Sequence, residues 1–218
     1  MAQTFNTASI LGVVMIRNIA IAAVLAVAAG VGATLYLSRP QDGAFAACTT
    51  GAIAGGSSQI GGPFELINAQ GQTVTDADVI TEPSLLYFGY TFCPDVCPLD
   101  NSRNVEAIDL LEEDGKIVTP VFISIDPKRD TPQVVGEFAF NLHERMIGLT
   151  GSPEQVKAAS KAYKTYYNAH PEEDGYYLVD HSTFTYLVLP DHGFVQYFKR
   201  DLTPREMADQ VACFVDNM

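Results

Sequence analysis

The chain has 218 residues, 47% of them hydrophobic and 18% charged, and this composition excludes an intrinsically disordered chain. Its 13 basic and 26 acidic residues give a net charge of −13, which repels phosphate backbones and argues against general nucleic-acid binding. Four cysteines are too few for a small scaffold built on disulfides, and a chain of this length can bury a full core without them.

An apolar run at residues 19–37 follows a short N-terminal segment, residues 1–18. The run contains no charged residue and as a helix would span about 28 Å, close to the hydrocarbon thickness of a bilayer. A retained transmembrane anchor and a cleaved signal peptide both fit such a run. It exceeds the usual signal-peptide core of roughly 7–15 residues and no clear cleavage site follows directly, so the sequence favours the anchor. Met15 offers an alternative start of the chain.

Residues 38–62 are rich in Gly, Ala, Ser and Thr, and we predict a flexible tether. Cys48 lies within this segment, after Phe45-Ala46-Ala47. That context faintly resembles a lipoprotein cleavage site, but it lies too far beyond the apolar run for lipidation to be favoured. The sequence assigns no role to Cys48 or to Cys213.

Residues 63–218 are predicted to form one globular domain in which strands and helices alternate. Apolar or alternating runs predict strands at 64–67, 84–90, 118–125, 147–151, 183–189 and 194–199. Capping residues and early prolines predict one helix with Pro98 in its first turn and further helices over 130–142, over 152–166 and from Thr203. A polar surface loop is expected at 169–175. This order predicts a layered α/β domain of thioredoxin-like type, with a central mixed sheet flanked by helices.

Cys93 and Cys97 lie at the junction between the strand at 84–90 and the helix that follows it. Residues four apart share one helix face, which brings both sulfurs within reach of one metal ion or of each other. The unpaired N–H groups of a helix N-terminus also lower a thiol pKa. A metal site and a redox pair are therefore both possible. Two ordinary buried cysteines are a weaker interpretation, because a proline follows each of them.

Three residues separate the two cysteines, one more than in thioredoxin-type oxidoreductases, and this leaves room for an ion. Two thiolates select Cu(I) or zinc over magnesium or calcium, and an imidazole is expected as the third ligand. His181 is the best candidate, because the loop before the late strand of a thioredoxin-like domain faces the cysteine-bearing helix. Asp180 could orient its ring. The other histidines are expected to be solvated (His170, His192) or to cap a helix (His143).

Four segments together resemble the Sco/SenC family of membrane-anchored copper chaperones for cytochrome c oxidase assembly, and the likeness covers about residues 63–216. They are GYTFCPDVCP at 89–98, SIDP at 124–127, RDTP at 129–132 and DHSTF at 180–184. The resemblance implies a thioredoxin-like fold with an extra β-hairpin. It also implies that Cys93, Cys97 and His181 bind copper, as Cu(I), with Cu(II) left open.

The same resemblance implies copper delivery to the binuclear copper site of oxidase subunit II, with an upstream copper donor and a thiol reductant as further partners. The expected location is the inner (cytoplasmic) membrane, with a single pass and the globular domain facing the periplasm. An alternative is a thiol–disulfide oxidoreductase that uses Cys93 and Cys97 as a catalytic redox pair to reduce the cysteines of that site. A peroxidase of the same superfamily is disfavoured, because it would use a lone cysteine.

Overall fold

The computed structural model describes residues 45–49 and 59–218, together with the isolated positions 18, 21, 25, 27 and 30. The chain divides into two units, residues 1–43 and 44–218. The predicted transmembrane segment, residues 19–37, lies outside the described residues except at four positions, where the backbone is helical. Within the part of the chain that is described, no helix has the length and apolar character needed to cross a membrane.

Nine strands form the described β-structure of the second unit. They are β1 Glu65–Asn68, β2 Thr73–Thr75, β3 Ser84–Gly89, β4 Thr119–Ser124, β5 Ile147–Thr150, β6 Tyr167–Ala169, β7 Val179–His181, β8 Thr185–Leu189 and β9 Gly193–Phe198. Seven of them make a mixed sheet in the order β2-β1-β5-β4-β3-β8-β9, in which β3, β4 and β5 run parallel. The remaining pair, β6 and β7, forms a separate antiparallel ribbon.

Five helices are described over residues 59–218: α1 Asp76–Val79, α2 Val96–Glu113, α3 Pro132–Leu142, α4 Pro153–Ala162 and α5 Pro204–Asp216. The N-caps of α3, α4 and α5 are Thr131, Ser152 and Thr203. Each accepts a hydrogen bond from a backbone N–H of the first turn, and a proline follows each one. Proline costs nothing there because the first-turn N–H groups have no helical partner.

Two apolar clusters fill the domain on opposite faces of the sheet. Successive residues of β8 alternate between them, with Tyr186 and Val188 in one cluster and Leu187 and Leu189 in the other. The first cluster includes side chains of α3 and α4, and the second includes side chains of α2 and α5. The predicted fold, a mixed sheet with flanking helices, is therefore confirmed.

Two elements differ from the sequence prediction by more than a shift of one or two residues at an end. Helix α4 ends at Ala162 rather than near residue 166, because Lys164 adopts the left-handed conformation (φ 54°) and Thr165 N–H bonds back to Ser160 O. A surface loop was predicted at 169–175, but its first residue, Ala169, is the last residue of β6, which pairs with β7. The sequence analysis did not predict this two-stranded ribbon, because its residues are largely polar, and its strand β7 carries the candidate ligand His181.

A disulfide joins Cys48 to Cys213 of α5, with the two Cα atoms 5.6 Å apart. Beside it, the ring of Phe45 packs against Phe214 at 5.4 Å and against His192 at 5.0 Å between centroids. Residues 45–49, which fall inside the predicted tether, are thus held against the C-terminal helix. The sequence carried no signal for this pairing.

Candidate metal centre

Cys93 and Cys97 lie at the carboxyl end of β3, where the chain turns into α2. Cys93 N–H bonds to Tyr90 O in the turn, and Cys97 is the second residue of the helix. Both are unpaired thiols; Cys97 is fully buried and Cys93 is 7% exposed. The backbone N–H of Cys97 donates to Cys93 Sγ at 3.3 Å. The helix N-terminus is thus aimed at the outer sulfur, as the sequence predicted.

His181 is the last residue of β7, and it completes the group. Its Nε2 lies 3.2 Å from Cys97 Sγ, and its Nδ1 lies 2.8 Å from the carbonyl oxygen of Ser182. A carbonyl only accepts, so Nδ1 carries the proton and the Nε2 lone pair faces the sulfurs. The three donor atoms all lie within 4.8 Å of one another, which suits one ion bound at about 2.0–2.3 Å.

Asp180 does not orient the His181 ring, contrary to the sequence-based expectation. Neighbouring residues of a strand point to opposite sides, and Asp180 Oδ2 pairs with His170 Nε2 at 2.8 Å instead. His170, expected to be solvated, is about half exposed and makes this pair. His143 caps α3 as predicted, and its Nδ1 accepts from the backbone N–H of Arg145.

Two tyrosines enclose the His181 ring. Tyr87 and Tyr90 meet it edge to face, with centroids 6.1 and 5.9 Å away. The hydroxyl of Tyr87 donates to Asp100 at 3.0 Å, and burial raises the pKa of Tyr87. The hydroxyl of Tyr90 accepts from the backbone N–H of Val179 at 3.3 Å, which ties the ribbon to the cysteine turn. Sequence analysis gave these rings no individual role, because only the fold places them beside His181.

Gly89, the last residue of β3, makes room for the inner sulfur. A Cβ at this position would lie 3.0 Å from Cys97 Sγ and 2.9 Å from the Tyr87 ring. Both distances are too short for ordinary contact, so any larger residue would displace the thiol or the strand. Gly89 therefore leaves the space that the Cys97 thiol occupies at the base of the site.

Asp130 ties the cysteine turn to the end of β4. This fully buried carboxylate accepts from the N–H and the hydroxyl of Thr91 at 3.0 and 2.6 Å, and from the Ser124 hydroxyl at 2.6 Å. Burial raises the pKa of Asp130, and the three donors oppose that shift. The sequence prediction placed Asp130 at the start of a helix, and its role under the site depends on tertiary contacts.

The pKa values of the two thiols are shifted in opposite directions, that of Cys93 down and that of Cys97 up. Interaction with the neighbouring Cys97 side chain, supported by the N–H groups of Asp95 and Cys97, lowers the pKa of Cys93 to about 4. The same interaction with Cys93, together with burial, raises the pKa of Cys97. The reduced pair therefore holds one thiolate and one thiol at neutral pH, with the thiolate on the more exposed sulfur.

This asymmetry predicts the pH dependence of alkylation. Because Cys93 stays deprotonated far below neutral pH, iodoacetamide should label it at a roughly constant rate from pH 9 to pH 6. A free cysteine, with a pKa near 8.5, would slow by more than about 100-fold over the same range. Peptide mapping by mass spectrometry identifies the labelled residue, and the reduced, denatured chain provides the control. A steep rise in the native rate between pH 7 and pH 9 would contradict the thiolate assignment.

A second group of candidate ligands lies outside this centre, at Asp109, Glu112 and His143. Its geometry does not favour a cation. The guanidinium of Arg145 pairs with Glu112 at 2.9 Å, and His143 Nδ1 accepts from Arg145 N–H, so Nε2 carries the proton toward Asp109. We assign no metal to this group.

The chain is similar to a known protein family over most of its length. The sequence model of the SCO1/SenC family matches residues 53–216. The chain belongs to this family. The resemblance seen in the four sequence segments is thereby confirmed, and the SCO1/SenC match spans the sheet, α2 and the His181 ribbon.

Individual members of the family are also similar to this chain in sequence and in structure. Protein SenC of Rhodobacter capsulatus is 53% identical over 198 residues, which cover 91% of this chain and 89% of that protein. The crystal structure of Arabidopsis thaliana ScoI with copper bound has a TM-score of 0.68 at 43% identity, covering 71% of this chain and 98% of that chain. Yeast Sco1 with copper bound has a TM-score of 0.69 at 34% identity, covering 73% and 90%.

Proposed function

We propose that this protein binds copper through Cys93, Cys97 and His181 and delivers it to the binuclear copper site of cytochrome c oxidase subunit II. The observation that carries the proposal is the convergence of two thiols and the unprotonated imidazole Nε2 within 4.8 Å. This donor set suits Cu(I), because thiolate and imidazole ligands favour soft or borderline ions. The copper-bound structures of the Arabidopsis and yeast relatives support the choice of metal.

Copper is the cargo of this site, and the chain's own groups prepare it. Cys93 offers a thiolate at neutral pH, and Cys97 must release a proton when the ion arrives, so loading is coupled to proton release. Tyr87 and Tyr90 pack edge to face against the imidazole of His181. The carbonyl oxygen of Ser182 accepts from Nδ1 and so keeps the imidazole proton on that nitrogen. The pair must be reduced before loading, which requires a thiol reductant as well as an upstream copper donor.

The proposal includes membrane attachment through residues 19–37, with the globular unit facing the periplasm. The uncharged apolar run supports the anchor. The Cys48–Cys213 disulfide supports the orientation, because such bonds form and persist in oxidising compartments outside the cytoplasm. Alkaline extraction and protease accessibility of the full chain in membranes would test both points.

A thiol–disulfide oxidoreductase is the second candidate. The observation that favours it is the pairing of a Cys93 thiolate with a Cys97 thiol in one helical turn, an arrangement that can cycle through a disulfide. His181 distinguishes the two candidate functions. Copper binding uses its imidazole as a ligand, whereas a dithiol reductant does not need a histidine from a distant ribbon.

Replacing His181 by alanine tests this distinction. We expect the reduced variant to hold Cu(I) at least about 10-fold less tightly, because it loses one of three ligands, and to form the Cys93–Cys97 disulfide normally. Competition with a chromogenic Cu(I) chelator measures the affinity, and equilibration with glutathione measures the disulfide. His192→Ala, at an exposed turn, is the control. Unchanged copper affinity and transfer in His181→Ala would favour the oxidoreductase.

A further inference from the structure

The ligands of the metal centre come from two separate parts of the fold. Cys93 and Cys97 lie on the turn between β3 and α2, at the end of the seven-stranded sheet. His181 lies on the β6–β7 ribbon, which is not part of that sheet. Residues 182–184 join the ribbon to β8 of that sheet, and the distance between the imidazole and the thiols also depends on side chains that connect the ribbon to the domain.

Arg129 makes such a connection. Its Nη1 donates to the carbonyl oxygen of Tyr177 at 2.9 Å, and its guanidinium lies 3.7 Å from the centre of the Tyr177 ring. Tyr177 stands four residues before His181. The same guanidinium lies 5.0 Å from the ring of Phe92 and 5.5 Å from that of Tyr90, both on the cysteine turn. One side chain thus contacts both parts of the centre.

Asp126 holds this arginine and its partner in a fixed arrangement. Its Oδ2 pairs with Arg129 Nε, and its Oδ1 accepts from the Tyr177 hydroxyl at 2.7 Å. Arg129 Nη2 is buried and has no hydrogen-bond partner among the described residues. The guanidinium carbon lies within 5.5 Å of the centres of three aromatic rings, and the attraction of a cation to ring faces favours the charged group at this buried position. Lysine cannot reproduce this arrangement, because it lacks the planar fork that donates and stacks at once.

From these contacts we infer that Arg129 is a positioning residue, which sets the distance between His181 and the two thiols and so tunes copper binding. The inference rests on the proposed copper function. The ribbon has a second attachment, from Val179 N–H to the Tyr90 hydroxyl, which survives the loss of Arg129. Removing the arginine should therefore shift the imidazole rather than detach the ribbon, and the effect on copper should be graded.

The test compares Arg129→Ala and Arg129→Lys with Arg145→Ala in the full chain. Arg145 is a matched control: it donates to the carbonyl of Val118, pairs with the carboxylate of Glu112, and has a buried Nε without a partner among the described residues. None of these contacts involves the metal centre. Each variant is measured for Cu(I) affinity, for the electron paramagnetic resonance spectrum with Cu(II), for the dithiol equilibrium with glutathione and for chemical unfolding.

Both Arg129 variants should bind Cu(I) about 10-fold or more weakly and show altered nitrogen coupling with Cu(II), while the dithiol equilibrium changes less than about threefold. Arg145→Ala should match the unsubstituted protein in all copper measurements. Unchanged copper affinity and spectra in Arg129→Ala would overturn the inference, and so would an equal loss of affinity in Arg145→Ala. If Arg129→Ala does not fold, Arg129→Lys decides.

A copper-free measurement separates this inference from the proposed function. In the reduced apo-protein, nuclear Overhauser contacts between the His181 ring and the Cys97 side chain should be present and should weaken in the Arg129 variants. If the unsubstituted protein bound no copper, the proposed function would fail, and these contacts would still decide the role of Arg129. Contacts that persist at full strength in both Arg129 variants would overturn the positioning role.

Discussion

Replacing Cys93 and Cys97 together by serine should abolish copper binding, reducing it from one retained Cu(I) per chain to none. The reason is chemical: a serine hydroxyl stays protonated at neutral pH and is a hard ligand, so only His181 remains as a suitable donor. Each single variant should also lose tight binding, since one thiolate and one imidazole make a poor Cu(I) site. Metal analysis after gel filtration of the reduced, copper-loaded protein measures the stoichiometry.

The matched control for this experiment is Cys48→Ser with Cys213→Ser. That variant also lacks two cysteines, but the pair lies in the apolar cluster beside α5 rather than at the metal centre. It should keep full copper stoichiometry. Copper retained at one ion per chain by the Cys93→Ser, Cys97→Ser protein would show that the site has been wrongly assigned.

The Cys48→Ser, Cys213→Ser variant should also be much less stable than the unsubstituted protein. Removing the Cys48–Cys213 bond should lower the free energy of unfolding by about 2–5 kcal/mol, because the bond closes a very long loop and restricts the unfolded chain. The two cysteines are 165 residues apart, which places the expectation toward the upper end of that range. Urea unfolding followed by circular dichroism measures the difference.

The Cys93→Ser, Cys97→Ser variant is the control for this unfolding measurement. Cys93→Ser with Cys97→Ser removes no crosslink from the protein in its reduced form, so its unfolding midpoint should stay closer to that of the unsubstituted chain. An unfolding free energy unaffected by loss of the Cys48–Cys213 bond would mean that the packing of Phe45 against Phe214 alone holds the segment in place.

Much of the fold could be predicted because its signals are local. The buried run at 84–90 predicted β3, and all six residues of that strand are buried. Thr131, Ser152 and Thr203, each followed by proline, predicted the starts of α3, α4 and α5. The buried run before the cysteines and the helical periodicity after them likewise placed Cys93 and Cys97 at a helix N-terminus.

What sequence reasoning missed depends on contacts between distant segments. Asp180 is the neighbour of His181 in sequence, yet the strand geometry turns it toward His170 and leaves the Ser182 carbonyl to orient the ring. Arg129 was noted only as part of a motif, because its contacts with Tyr177 and Phe92 exist only in the folded chain. Pairing of Cys48 with Cys213 has no local signal at all.

Helix α2 separates the metal centre from the place where the N-terminal chain joins the domain. Cys97 lies in its first turn, whereas Cys48 and Cys213 pack in the cluster that contains Leu110 and Leu111 near its other end. Eighteen residues of helix span about 27 Å. The metal centre and the crosslink that holds residues 45–49 against the domain therefore lie toward opposite ends of α2.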